Sequence, residues 1–89
     1  MKDPYLEVTF RHGRAIAAYY YLSRDANHKS ARTRKVEPNL VIDFTAEGQA
    51  IGIEITAPGK ISLAALNAVL KELGQAPASE ADLAPVLAA

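Results

Sequence analysis

Residues 39–56, Asn-Leu-Val-Ile-Asp-Phe-Thr-Ala-Glu-Gly-Gln-Ala-Ile-Gly-Ile-Glu-Ile-Thr, constrain the fold more than any other stretch of the chain. Leu40, Ile42 and Phe44 alternate with Val41, Asp43 and Thr45. Ile51, Ile53 and Ile55 alternate with Gly52, Glu54 and Thr56. Period-two alternation of β-branched and aromatic residues marks strands with one buried face. Glu47-Gly48 between them is a turn signal, and Gly48 supplies the positive φ that a tight hairpin turn needs. A two-residue turn there, or a loop over 46–49, sets Phe44 opposite Ile51, Ile42 opposite Ile53 and Leu40 opposite Ile55. All six large side chains then share one face, whereas a slip of one residue would split the set.

Around this hairpin there is room for one domain. A chain of 89 residues buries roughly 60–65% of its unfolded surface. Leu, Ile, Val and Phe number 22 against 17 Ala, so the core is thin. A small sheet with one helix is affordable, and oligomerisation is the usual way to complete such a core. The absence of cysteine excludes disulfides, thiolate catalysis and cysteine metal sites, and fits a cytoplasmic protein. No apolar run approaches the roughly 18 residues of a membrane span, and Met-Lys-Asp-Pro-Tyr has no signal-peptide core. Net charge is zero but unevenly placed. Residues 1–37 hold eight Lys/Arg and four Asp/Glu; residues 38–89 hold two and six. The two halves folding against each other would largely cancel, while a basic face would suit an acidic partner or a phosphate backbone.

Before the hairpin, Leu6, Val8 and Phe10 alternate with polar residues and predict a first strand, followed by a turn at His12-Gly13. The next strand, about 14–22, has two apolar faces: Ile16, Ala18, Tyr20 and Leu22 on one, Ala15, Ala17, Tyr19 and Tyr21 on the other. Such a strand belongs inside a sheet covered on both sides. A single helix covers one side, so a second subunit is expected on the other; the alternative is tyrosines lying flat with their hydroxyls in water. Residues 23–31 read as a polar loop and 32–36 as a short charged strand, the charge guarding an exposed edge. After Pro58-Gly59, Ser62 is a good N-cap for a helix over 63–73. Leu63, Leu66, Leu70 and Leu73 follow helical spacing, and Gly74 is a C-terminal stop. Ser79-Glu80-Ala81-Asp82 resembles a capping box, but Pro85 restricts any helix beyond it. Residues 1–74 are expected to form the α+β domain, and 75–89 a tail or short helix.

No catalytic or metal constellation emerges. His12 and His28 fall in a turn and a polar loop without metal-ligand spacing. The glycines are separated by strand and do not cradle phosphate. In the hairpin register Asp43 faces Gly52 and Val41 faces Glu54. Asp43 and Glu54 are thus diagonal neighbours on the polar face, able to share a proton or a cation, or to pair with Arg32 or Arg34. Arg24, Lys29, Arg32, Arg34 and Lys35 form a basic cluster near Tyr19–Tyr21, ingredients of single-strand binding. Zero net charge and the lack of a ribonucleoprotein motif argue against nucleic acid.

Ala17-Ala18-Tyr19-Tyr20-Tyr21-Leu22-Ser23, then Leu40-Val41-Ile42-Asp43-Phe44-Thr45-Ala46-Glu47-Gly48-Gln49-Ala50-Ile51-Gly52-Ile53-Glu54-Ile55, resemble a family of small prokaryotic domains of unknown function. That family shows an Ala-Leu-Tyr-Ile-x-Leu strand and an Asp-Tyr/Phe-Asp…Gly-x-x-x-Gly-Ile-Glu-Ile-Leu hairpin. The likeness covers about residues 15–61 and departs at Ile16, where members are acidic, and at Thr56, where they carry leucine. It implies no activity and no catalytic residues. Some members look like partners of small ribonuclease-like toxins, which implies an antitoxin-type role. The expectation is therefore an antiparallel meander of four to five strands with one C-terminal helix on one face. It is read as a non-enzymatic, cofactor-free interaction module, dimeric with itself or bound to a small toxin. Tyr19, Tyr21, Leu63, Leu66 and Leu70 are the candidate interface.

Overall fold

The computed structural model describes residues 5–22 and 29–87. Among them five strands form, β1 (Tyr5–Arg11), β2 (Arg14–Tyr21), β3 (Arg32–Glu37), β4 (Leu40–Phe44) and β5 (Ala50–Ile55). A short 3-10 turn, Pro58–Lys60, and two helices, α1 (Leu63–Glu72) and α2 (Glu80–Leu87), follow. The fold is α+β and every strand pairing is antiparallel. The strand order is β1-β2-β5-β4-β3. A simple meander is therefore incorrect: β2 neighbours β5, not β3. Side-chain chemistry explains the seam. β2 and β5 carry apolar residues fit for the centre of a sheet, whereas Arg-Thr-Arg-Lys in β3 is tolerated only at an edge.

Each hairpin turn has a bulge beside it that resets its register. His12 and Gly13 both have positive φ, 53° and 77°, the conformation of a two-residue hairpin turn between Arg11 and Arg14. Phe10 then faces Ala15, and the shift next to it leaves Ile16 unpaired before Thr9 meets Ala17. The β4–β5 turn corrects the expected two-residue or 46–49 geometry. Thr45 N–H donates to the Gln49 carbonyl at 2.8 Å, and Gly48 N–H to the Thr45 carbonyl at 3.0 Å. Three residues, Ala46 to Gly48, thus make the loop, with Gly48 at φ 91°. Phe44 consequently faces Ala50 rather than Ile51, and left alone this register would put Asp43 opposite Ile51. The bulge absorbs Ile51, and Asp43 meets Gly52, Ile42 meets Ile53 and Leu40 meets Ile55. Hydrophobic pattern overrides turn geometry at the cost of one residue.

Both helices lie on the same side of the sheet. The core joins Ala18, Tyr20 and Leu22 of the β2 stretch, Leu40 and Ile42, and Ile53 and Ile55 to Leu66, Val69 and Leu70 of α1 and Leu83 and Val86 of α2. Fully burying a side chain of this size stabilises by about 1.5–3 kcal/mol. Ser62 caps α1, its Oγ accepting from Ala65 N–H at 3.0 Å. At the other end Gly74, φ 72°, lets Gln75 N–H reach the Leu70 carbonyl at 2.9 Å and Gly74 N–H reach Lys71 at 3.1 Å, the two bonds of a Schellman stop. A second helix joins the one C-terminal helix expected, in the 75–89 stretch read as a tail or short helix. Ser79 and Asp82 form a reciprocal capping box, both bonds 3.1 Å. It starts α2 despite Pro85, which forfeits one helical bond but faces solvent while Leu83 and Val86 are buried. Asn67 ties the connection down, accepting from Ala78 N–H at 2.8 Å and donating to its carbonyl at 3.1 Å. No helix among the described residues is long and apolar enough to cross a membrane.

Candidate functional site

Strand alternation sends the remaining side chains to the face opposite the helices. The pairings align two rows across all five strands. One holds Tyr5, Tyr21, Gly52, Asp43 and Thr33; the next holds Glu7, Tyr19, Glu54, Val41 and Lys35. At the β1–β2 end of these rows three tyrosines assemble. Tyr21 stacks on Tyr5 with ring centroids 4.6 Å apart and planes 4° from parallel. Tyr19 meets Tyr21 edge-on at 4.6 Å and 61°. These are favoured aromatic geometries, worth about 0.5–1.5 kcal/mol each beyond burial.

The hydroxyls are bonded to carboxylates. Tyr19 Oη donates to Asp43 Oδ2 at 2.6 Å, and Tyr21 Oη donates to Glu7 Oε1 at 3.2 Å. Tyr19 is paired across β5 with Glu54, yet its ring leans over Gly52 to reach Asp43 on β4. A Cβ at Gly52 would collide with Cε2, Cζ and Oη of Tyr19. Gly52 is thus the bare backbone on which the ring rests. Loss of water around the ring, then the hydrogen bond to Asp43 and its charge, push the Tyr19 hydroxyl well above its ordinary pKa. Tyr21 is raised by desolvation and then by the charge of Glu7. Tyr19 and Tyr21 therefore stay protonated at neutral pH, as donors and not as bases or nucleophiles.

The candidate residues divide between the two faces. Tyr19 and Tyr21 are half-buried on the helix-free face, with Asp43 and Glu54 beside them as the register implies. Arg32 and Arg34 pair with Phe44 and Ile42, on the helix side, so they do not pair with Asp43 or Glu54. Arg32 Nη2 instead donates to the Ala46 carbonyl at 3.5 Å, and Arg34 lies 5.5 Å from the Phe44 ring centre. No third acidic or histidine side chain joins Asp43 and Glu54 to make a metal site among the described residues. Leu66 and Leu70 are wholly buried inside a single chain; as interface candidates they are corrected to core. Leu63 is half-buried at the core's margin.

The basic cluster is also divided. Lys29 and the β3 residues are exposed, but Arg32 and Arg34 face the helix side and Lys35 the tyrosine side. Arg24 and His28 lie outside the described residues. The tyrosines share their face with Glu7, Asp43 and Glu54, the opposite charge to a nucleic-acid platform. Tyr5 and Glu7 are members of the site that sequence reasoning omitted. Their signal was available: they alternate with Leu6 and Val8, and the His12-Gly13 turn brings them beside Tyr21 and Tyr19.

Residues 17–57 match DUF2283, a protein family of unknown function. This segment, under half of the chain, is similar to that small domain and runs from within β2 to just past β5. Tyr19, Tyr21, Asp43, Gly52 and Glu54 fall inside it; Tyr5, Glu7 and both helices do not. Searches of curated proteins and of solved structures returned no match.

Proposed function

We propose that the chain is a small non-enzymatic protein-interaction module that self-associates through the tyrosine face. What supports the reading is one observation: three half-buried tyrosines sit together on β1 and β2, on the face that neither helix covers. Aromatic rings with a polar tip are favoured where one side is apolar and the other wet, which describes a protein interface. The side-chain rows also suit a second copy. A two-fold axis parallel to β5, between two sheets stacked face to face, sets Glu7 of each copy toward Lys35 of the other and Tyr19 toward Val41. The same axis opposes Glu54 to itself, a like-charge contact that costs affinity.

Light scattering tests this directly. Twice the monomer mass is expected, reverting to monomer in Tyr21→Asp with the melting transition retained. Glu54→Gln is expected to tighten the dimer. A clean monomer at high protein concentration would sink the proposal. A second reading, an antitoxin-like partner of a small ribonuclease-type toxin, is favoured by Glu7, Asp43 and Glu54 on the same face, which suit a basic surface. Co-purification from the native host separates the two: a small basic protein lost on Tyr21→Asp supports the second reading, and recovery of the chain only with itself removes it.

A further inference from the structure

A different surface is the open edge of the sheet. β3 ends the strand order, so one side of its backbone faces no strand among the described residues. Arg32, Thr33, Arg34 and Lys35 are all exposed, and no carboxylate among the described residues pairs with Arg32, Arg34 or Lys35. Beside them a hollow of about 360 Å³ is lined by Arg32, Thr33, Arg34, Phe44 and Gly48. The half-buried Phe44 gives it an apolar floor and the two guanidinium groups a cationic rim. An open strand edge beside a side-chain hollow has the two parts used in recognition by strand addition: backbone bonds for affinity and a hollow for alternate side chains.

We infer that the free edge of β3 takes one more strand from a partner protein, an extended acidic segment whose carboxylates meet Arg32, Arg34 and Lys35. Alternation fixes how it is read. Side chains on the helix side of the added strand meet Arg32, Arg34 and the Phe44 hollow, and those on the tyrosine side meet Thr33 and Lys35. Charge also chooses between occupants. A second copy added antiparallel about the middle of β3 sets Arg34 against Arg34 or Lys35 against Lys35, and like charges directly opposite are destabilising. An acidic strand turns those contacts into attractions.

The test uses the full chain and three synthetic ten-residue peptides. One alternates Glu with Val, the second alternates Lys with Val, and the third is the Glu peptide N-methylated at alternate residues. The Glu peptide is expected to bind at low salt, to shift the amide resonances of Arg32–Glu37 and to slow their hydrogen exchange. The N-methylated peptide should lose this binding, because it lacks the donors a strand needs. The Arg32→Gln/Arg34→Gln variant is expected to bind the Glu peptide about tenfold more weakly. Both positions are exposed, and retained amide dispersion verifies its fold. Failure of the Glu peptide to bind overturns the inference, as does equal binding of the Lys or N-methylated peptide. So does tighter binding of a single-stranded oligonucleotide at the same residues. Protection of β3 that grows with protein concentration alone would show self-pairing and overturn it too.

Discussion

The two faces of this one sheet solve the same physical problem differently. On the helix side, Leu40, Ile42, Ile53 and Ile55 are hidden because α1 and α2 cover them. On the other side nothing in the described chain covers the sheet, and the tyrosines protect each other. Tyr21 lies on Tyr5, Tyr19 shields the backbone at Gly52, and carboxylates accept the hydroxyls' hydrogen bonds. The helix face is explained by stability alone. The tyrosine face is ordered by its own contacts yet open, so a partner meets rings already held in place and loses little side-chain entropy on docking.

The contrast can be broken most strongly from the helix side. Leu70→Ala is expected to cost about 2–5 kcal/mol, since it opens a cavity in a fully packed core. For a domain with total stability of about 5–15 kcal/mol this approaches global unfolding, and a denaturant midpoint measures it. On the tyrosine side Gly52→Ala is expected to cost about 1–3 kcal/mol by expelling the Tyr19 ring. The same substitution in a Tyr19→Ala background should cost far less. A double-mutant cycle showing simple additivity would refute the ring-on-glycine contact.

Smaller effects sharpen the comparison. Ser79→Ala removes the hydroxyl half of the α2 capping box and is expected to cost about 0.5–2 kcal/mol, with exchange at Leu83 and Val86 accelerating before that at Ile53. Asp43→Asn should change neutral-pH stability least and act on alkaline behaviour. Tyr19, Tyr20 and Tyr21 are all raised above the ordinary 10.0, desolvation being the largest cause in each. A raised folded-state pKa adds stability that is fully present below the unfolded value and is lost as pH climbs through the folded one. Stability should hold up to about pH 10 and then fall. In Asp43→Asn the tyrosinate absorbance should rise at lower pH than in the parent, because the acceptor charge is gone and desolvation remains.

How much of this was legible follows from which interactions are local. The α1 caps at Ser62 and Gly74, the His12-Gly13 turn and the Ile42–Ile53 and Leu40–Ile55 pairs are written in neighbouring residues or in strict alternation. The β2–β5 seam is not, since nothing near Tyr20 names Ile53 as its partner. α2 was obscured because Pro85 and two alanines, Ala81 and Ala84, dilute a signal carried by Leu83 and Val86. The site was half visible. Tyr19, Tyr21, Asp43 and Glu54 stand out as side chains, but Gly52 read only as a residue compatible with a strand. A glycine inside an otherwise β-branched strand is a request for a close neighbour, and the neighbour was two strands' worth of sequence away. The bulge at Ile51 escaped because a three-residue turn and an even register conflict only when both are known.

The strand order has a consequence for how the molecule is made. β1 with β2, and β3 with β4, are hairpins that close through short local loops, and local closure is fast. β5 is the strand that belongs to both halves, bonded to β2 on one side and β4 on the other. Until residues 50–55 have emerged from the ribosome the nascent chain has, at most, two separate hairpins with no shared strand, each marginal on its own. Docking of β5 then unites them and creates at once the surface on which α1 settles and the backbone gap at Gly52 into which Tyr19 falls. Assembly therefore waits on the hairpin of residues 39–56, and a nascent chain stalled before Ala50 has neither a finished core nor a finished tyrosine face.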